Sequence, residues 1–248
     1  MADGTFRAYA RAISRGCIAL AYAMLMTAPM ASDPTWAAGA YAVDDSDITD
    51  PGKCEVDSWV SSSVSRHVSA NTNPTCGVPF AFPLEISAQI TRANAAGSWT
   101  TTAQPQLKVN FVPSGVGAIG VGIAGIVTYD FIDRQTSGAE IYVPVTLTPN
   151  KDLRINLNLG WLYDQPTNLN WVTWGVSAEL SVTDIVTLIG EVYVQSGHAI
   201  RPASTAWPRV QTGIRFTPRE SFDIDVIYGR NINGENRNWF TLGLNLRF

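Results

Sequence analysis

The chain ends "NWFTLGLNLRF", Asn238 to Phe248, and the parity of that stretch decides the fold. Phe240, Leu242, Leu244, Leu246 and Phe248 fall on one side of an extended chain; Trp239, Thr241, Gly243, Asn245 and Arg247 fall on the other. A helix, with its period of 3.6, would scatter both sets around its circumference, whereas a strand separates them. The stretch is therefore a strand with one apolar and one mostly polar face. What the apolar face touches sets the function class.

The same alternation recurs upstream. In "RINLNLGWLY", Ile155, Leu157, Leu159, Trp161 and Tyr163 oppose Arg154, Asn156, Asn158 and Gly160. In "WVTWGVSAELSV", Val172, Trp174, Val176, Ala178, Leu180 and Val182 oppose Trp171, Thr173, Ser177, Glu179 and Ser181. "AEIYVPVTL", "VTLIGEVYVQ", "RVQTGIRF", "FDIDVIYG" and "QLKVNF" read the same way. Short turns at "VPSG", "TPNKD", "SVTD" and "FTPRE" carry the Pro, Gly, Asn or Asp that tight turns require. Longer connections such as "RANAAGS", "IDRQTSG", "YDQPTNLN", "QSGHAIRPASTA" and "GRNINGENRN" lie between them. Strict alternation of short and long connections is the layout of bacterial outer-membrane barrels. Counting back from the C-terminus gives strands over 238–248, 220–230, 206–217, 184–195, 170–182, 152–163, 139–149, 115–131, 100–112 and 84–92, with 54–66 and 74–82 completing twelve. In "CGVPFAFPLEISAQITR" one apolar phase runs throughout, so a single long strand, and ten strands in all, is the alternative; Pro79 and Pro83 favour a break.

Composition agrees with a two-faced sheet. Charged residues make up 15% of the chain, below the roughly 25% of soluble domains. Beyond the N-terminus there is no apolar run of the ~20 residues a membrane helix needs. The net charge of −4 comes without a basic cluster, which argues against nucleic acid as a partner. Residues 1–42 read as an export signal: Arg7, Arg11 and Arg15 precede the apolar "GCIALAYAMLM", and Ala40-Tyr41-Ala42 is taken as the cleavage signature, with Ala31 as an earlier site. Residues 43–53, "VDDSDITDPGK", follow as a short periplasmic tail or plug fragment, and 54–248 form the barrel.

A soluble sandwich also alternates, but it covers its outer surface with Lys and Glu. Here the polar face is rich in Gly, Thr, Ser and Asn, as a lumen would be. The expected strands of 10–13 residues suit a tilted crossing. Aromatics gather near strand ends at Tyr129, Phe131, Trp161, Tyr163, Tyr228, Trp239, Phe240 and Phe248, where interfacial girdles sit. Strands in hydrocarbon cannot leave backbone groups unpaired, so they must close. The fold expected is all-β, a transmembrane antiparallel up-and-down β-barrel in a bacterial outer membrane.

The terminal Phe248 with Phe240, Leu242, Leu244 and Leu246 resembles the sorting signal that outer-membrane barrels present to their assembly machinery. The mature start, with Asp44, Asp45, Gly52, Lys53 and Glu55, resembles a family of exported barrels assigned to a MetA pathway of phenol degradation; Cys54 replaces the usual aromatic. "LEISAQITR", "TPNKDLRINLNLGWLYD" and "TLIGEVYVQSG" are similar to that family's strand–turn–strand blocks. The resemblance spans about 43–248 and implies handling or uptake of small aromatic or hydrophobic solutes; it carries over no binding residue.

By parity, Glu85, Lys108, Glu140, Arg154, Glu179, Glu191, Arg209, Arg215, Asp223, Asp225 and Arg247 line the lumen. Both signs are present, and buried charges need partners. They are read either as a pairing network or as the lining of a solute path. Cys54 and Cys76 remain in an oxidising compartment, where a disulfide between them is open. "RHVSAN" holds His67, Ser69 and Asn71 in a Ser-rich stretch read as a solvated loop rather than a catalytic dyad, and His198 is read as a loop residue. No spacing fits a metal site or a cofactor motif; the carboxylates of 43–53 do not follow an EF-hand loop. The function expected is a channel or uptake protein, not an enzyme. A structural or adhesive barrel without an open pore is the alternative.

Overall fold

The computed structural model describes residues 40–63, 67–95, 97–197, 208–232 and 238–248. The expected signal up to residue 39, including Ala31, and His198 lie outside the described residues. Twelve strands run in chain order: β1 (Cys54–Ser63), β2 (Val68–Val78), β3 (Leu84–Ala95), β4 (Ser98–Val112), β5 (Ile119–Asp130), β6 (Gln135–Asn150), β7 (Leu153–Asp164), β8 (Leu169–Thr183), β9 (Val186–Gly197), β10 (Arg209–Arg219), β11 (Phe222–Asn231) and β12 (Asn238–Arg247). Each pairs antiparallel with its chain neighbours, and β1 pairs with β12 to close the barrel. Closure leaves no strand edge, as a sheet in hydrocarbon requires.

Parity places the side chains. Leu242, Leu244, Leu246 and Phe240 point outward and are exposed, as are Leu159, Trp161, Val172, Trp174, Leu188, Ile214 and Val226. Thr241, Asn245, Asn156, Ser177, Glu191 and Arg215, on the opposite faces of their strands, are buried in the lumen. This inversion of the soluble pattern, apolar out and polar in, is that of a transmembrane barrel. Aromatic pairs on the outer surface at the end far from the termini, Tyr129–Phe131, Trp161–Tyr163 and Tyr228–Phe240, mark one interfacial girdle.

The strand count is twelve, not ten, but two details differ from the sequence expectation. The second strand spans 68–78 rather than 74–82, and Phe80 and Phe82 lie in the turn that follows, stacked edge to face and exposed. Pro79 and Pro83 bracket that turn; neither can donate to a ladder. Connections also do not alternate strictly between short and long. The β3–β4 hairpin is tight, with positive-φ Gly97 at its tip. β4, β6 and β8 extend to 15, 16 and 15 residues. Thr, Gln and Ser stretches expected as loops there continue the hydrogen-bonded ladders.

Candidate functional site

Residues 40–53 do not hang below the barrel. They enter at the end carrying Cys54 and Phe248 and run around the inner wall as a strap, from β2 to β12. The strap is fastened at its root. Cys54 faces Cys76 across the β1–β2 ladder and is joined to it by a disulfide. Gly52 N–H donates to the Gly77 carbonyl at 2.9 Å, and Pro51 bridges Gly77.

From there the strap meets each strand in turn. Thr49 donates to Glu85 on β3 through its N–H, 2.7 Å, and its hydroxyl, 2.9 Å. Asp47 accepts from Ser114 Oγ at 2.7 Å and pairs with Arg154 on β7 at 2.5 Å. Ser46 N–H donates to Thr146 on β6, and Asn110 on β4 donates to the Ser46 carbonyl at 2.6 Å. Asp45 lies 3.3 Å from Arg154 and 3.5 Å from Lys108. Asp44 takes Lys108 at 3.0 Å and the Tyr142 hydroxyl at 2.7 Å, and exchanges two backbone bonds of 2.7 Å with the Asn158 amide. The Glu191 carboxylate on β9 accepts the N–H groups of Ala42, 2.9 Å, and Val43, 3.1 Å. Tyr41 stacks under the Arg215 guanidinium at 5.7 Å and packs on Ile189 and Ile227.

The wall has room for this because several of its strap-facing positions are glycines. A Cβ on Gly175 would stand 2.6 Å from Val43 Cγ2, and one on Gly213 would collide with the Tyr41 hydroxyl. Gly77 and Gly120 meet the strap in the same way, at Thr49 and Ser46.

The eleven charged residues expected on the lumen face divide into groups. Glu85, Lys108, Arg154 and Glu191 hold the strap. Arg215 and Asp225, both fully buried, form a two-pronged pair at 2.8 Å on each prong; Asp223, at 3.9 Å from Arg215, also takes Arg247. Arg247 reaches Glu55 at 3.6 Å. Glu179 accepts from Asn156 at 2.6 Å. Glu140 accepts from Thr173 at 2.9 Å, and Arg209 lies over the Tyr193 ring at 6.0 Å. A cavity of about 550 Å³ remains beside the strap; Glu140, Arg209, Gln106, Asp57 and Tyr193 are among its lining. A smaller one of about 230 Å³, towards the far end, is lined by Ser63, His67, Tyr193, Arg209, Asn231 and Trp239. Ser69 Oγ accepts from Asn71 at 3.4 Å.

In sequence, 43–53 reads as a periplasmic tail or plug fragment, and Asp44 and Asp45 are singled out only within the family resemblance; sequence reasoning gives them and Asp47 no wall partner, and gives Tyr142, Asn110 and Asn158 no role at a site. The acidity of 43–50 was the one signal available: Lys108 and Arg154 on the wall needed anions, and the strap supplies them.

Residues 24–248 match the family of uncharacterised conserved proteins UCP029691. The chain belongs to that family. No curated protein matches the sequence. Among solved structures, the barrel is similar to the NanC porin, with a TM-score of 0.63 at 9% identity, covering 77% of this chain and 98% of that one. It is similar to the KdgM porin in complex with disordered oligogalacturonate, with a TM-score of 0.60 at 10% identity over 78% of this chain and 99% of that one. The COG4313 outer membrane channel from Pseudomonas putida F1 matches with a TM-score of 0.58 at 9% identity, covering 82% and 98%. At such identities the likeness is one of fold.

Proposed function

We propose that the protein is an outer-membrane channel for small solutes, with the Cys54–Phe248 end towards the periplasm and the strap narrowing its periplasmic half. The observation that carries this reading is the polar cavity of about 550 Å³ left inside a closed, apolar-skinned barrel. A barrel built only as a scaffold gains nothing from an inner wall of hydroxyl, amide and charged groups around open space. Twelve strands give a wider interior than the eight-stranded barrels that side chains fill. The fold likeness to porins and to the COG4313 channel supports a channel.

The far half of the lumen favours solutes with a flat ring and an anionic group. Arg209 lies over Tyr193 there, and Trp239 lies flat across Gly229, where a Cβ would collide with the indole. Among the described residues no carboxylate lies within 4 Å of Arg209. Small aromatic acids fit that chemistry, with stacking and a charge-assisted hydrogen bond each available. The strap also gives weight to the second reading, a barrel shut by its own N-terminal segment.

Liposome swelling separates the two. Proteoliposomes of the full mature chain should admit a graded series of small solutes with a sharp size limit, and benzoate faster than a neutral sugar of similar size. Failure to admit any solute would favour the closed barrel.

A further inference from the structure

We infer that export processing cuts the chain between Ala40 and Tyr41, and that the new α-ammonium of Tyr41 is the counter-cation of a carboxylate cluster inside the barrel. This rests on the export reading and moves its cleavage point by two residues. Ala38-Gly39-Ala40 fits the small-x-small requirement as well as Ala40-Tyr41-Ala42 does. The sequence does not choose between these registers or the earlier one at Ala31; the contacts of Tyr41 and Ala42 speak against the later one.

A cut after Ala42 would discard two residues for which the wall is shaped. Tyr41 is buried, its ring under Arg215 and on Ile189 and Ile227, and Gly213 is bare where its hydroxyl arrives. Ala42 N–H donates to the Glu191 carboxylate beside Val43 N–H and the Gln211 amide. A cut after Ala40 keeps every one of these contacts. Ala40 itself lies against Gly243, where a Cβ would stand 3.4 Å from Ala40 Cβ and 3.4 Å from Asp225 Oδ2. The junction therefore sits beside Asp225.

Charge points the same way. Asp57, Glu191, Asp223 and Asp225 are all buried in the lumen. The guanidiniums that reach this group are those of Arg215 and Arg247, while Lys108 and Arg154 are engaged with strap carboxylates. Asp57, 2% exposed, keeps one carboxylate oxygen without a hydrogen-bond partner and lines the same cavity as Tyr41. A buried carboxylate left without a cation is costly. Hydrolysis by a leader peptidase adds water across the Ala40–Tyr41 amide: Ala40 departs with a carboxylate, and Tyr41 keeps the nitrogen, which takes a proton. One positive charge then appears where the wall has an excess of negative ones, and the strap becomes a tether whose free end is held by ion pairing.

The test is the N-terminus of protein purified from outer membranes, read by intact mass and N-terminal sequencing. A start at Tyr41 is expected. A start at Val43, or at any other internal residue, overturns the register but leaves export standing; a chain retaining residues 1–39 overturns both. The ammonium is tested separately by reductive methylation of the detergent-folded and urea-unfolded chain. The α-amine should react at least tenfold more slowly in the folded barrel, and Asp57→Asn should narrow that gap. Equal rates in folded and unfolded wild type would overturn the pairing whatever the cut site.

Discussion

The two halves of the lumen are built differently. At the end that carries Cys54 and Phe248, the wall is a set of closed ion pairs, Lys108 and Arg154 with the strap and Arg215 with Asp225, with the strap laid against it. Towards the other end, the wall is hydroxyls, amides and rings. Thr91 donates to Asn71, Gln104 to Thr128 and the Trp239 indole to Gln211, and Ser61 meets Thr241. Charge in the first half is spent on holding structure. In the second half, the charges of Glu140 and Arg209 face the cavities. Stability and selectivity should therefore respond to different residues.

The sharpest way to break that division is Arg215→Met. It leaves Asp225 and Asp223 buried without their shared cation and should cost about 3–5 kcal/mol. The temperature at which the folded band disappears on a heat-modifiability gel should fall more than for any other single change, with conductance altered only through lost protein. Replacing Cys54 and Cys76 together by serine releases the strap's root and should cost about 2–4 kcal/mol, read on the same gel. Gly175→Leu drives a side chain into Val43. It should cost about 1–3 kcal/mol by overpacking and raise conductance as the strap is displaced. Arg209→Ala should leave stability within about 0.5 kcal/mol of wild type. In asymmetric salt it should shift the reversal potential toward cation preference. A destabilised Arg209→Ala barrel with unchanged ion preference would erase the distinction between the halves.

Most of the barrel is legible in the sequence because lipid enforces parity: an outward position must be apolar, and a one-residue slip would turn every such side chain inward. β7, β8 and β12 show this plainly. β2 hides because Val68–Val78, "VSANTNPTCGV", is polar on both faces and contains Pro74, while the well-alternating Phe80 and Phe82 beyond it belong to a turn. Lumen charges such as Arg215 and Asp225 follow from the same parity. Their pairings follow from strand register, since residues 215 and 225 sit opposite each other on β10 and β11. The strap escapes. "YAVDDSDIT" has no period, because its residues answer several strands of the wall in turn, and partners such as Ala42 and Glu191 are 149 positions apart in the chain. Only the glycines that receive it, Gly175 and Gly213 among them, leave a trace, and in a strand they read as mere gaps in the pattern.

The central claim is that residues 41–50 narrow a polar lumen that would otherwise conduct freely. Single-channel recording in planar bilayers, on the mature chain and on a variant lacking 41–50 with the disulfide kept, tests it most directly. The account predicts small, well-defined openings for the full chain and conductance several-fold higher without the strap. Silence from both proteins, folded and inserted, would contradict it.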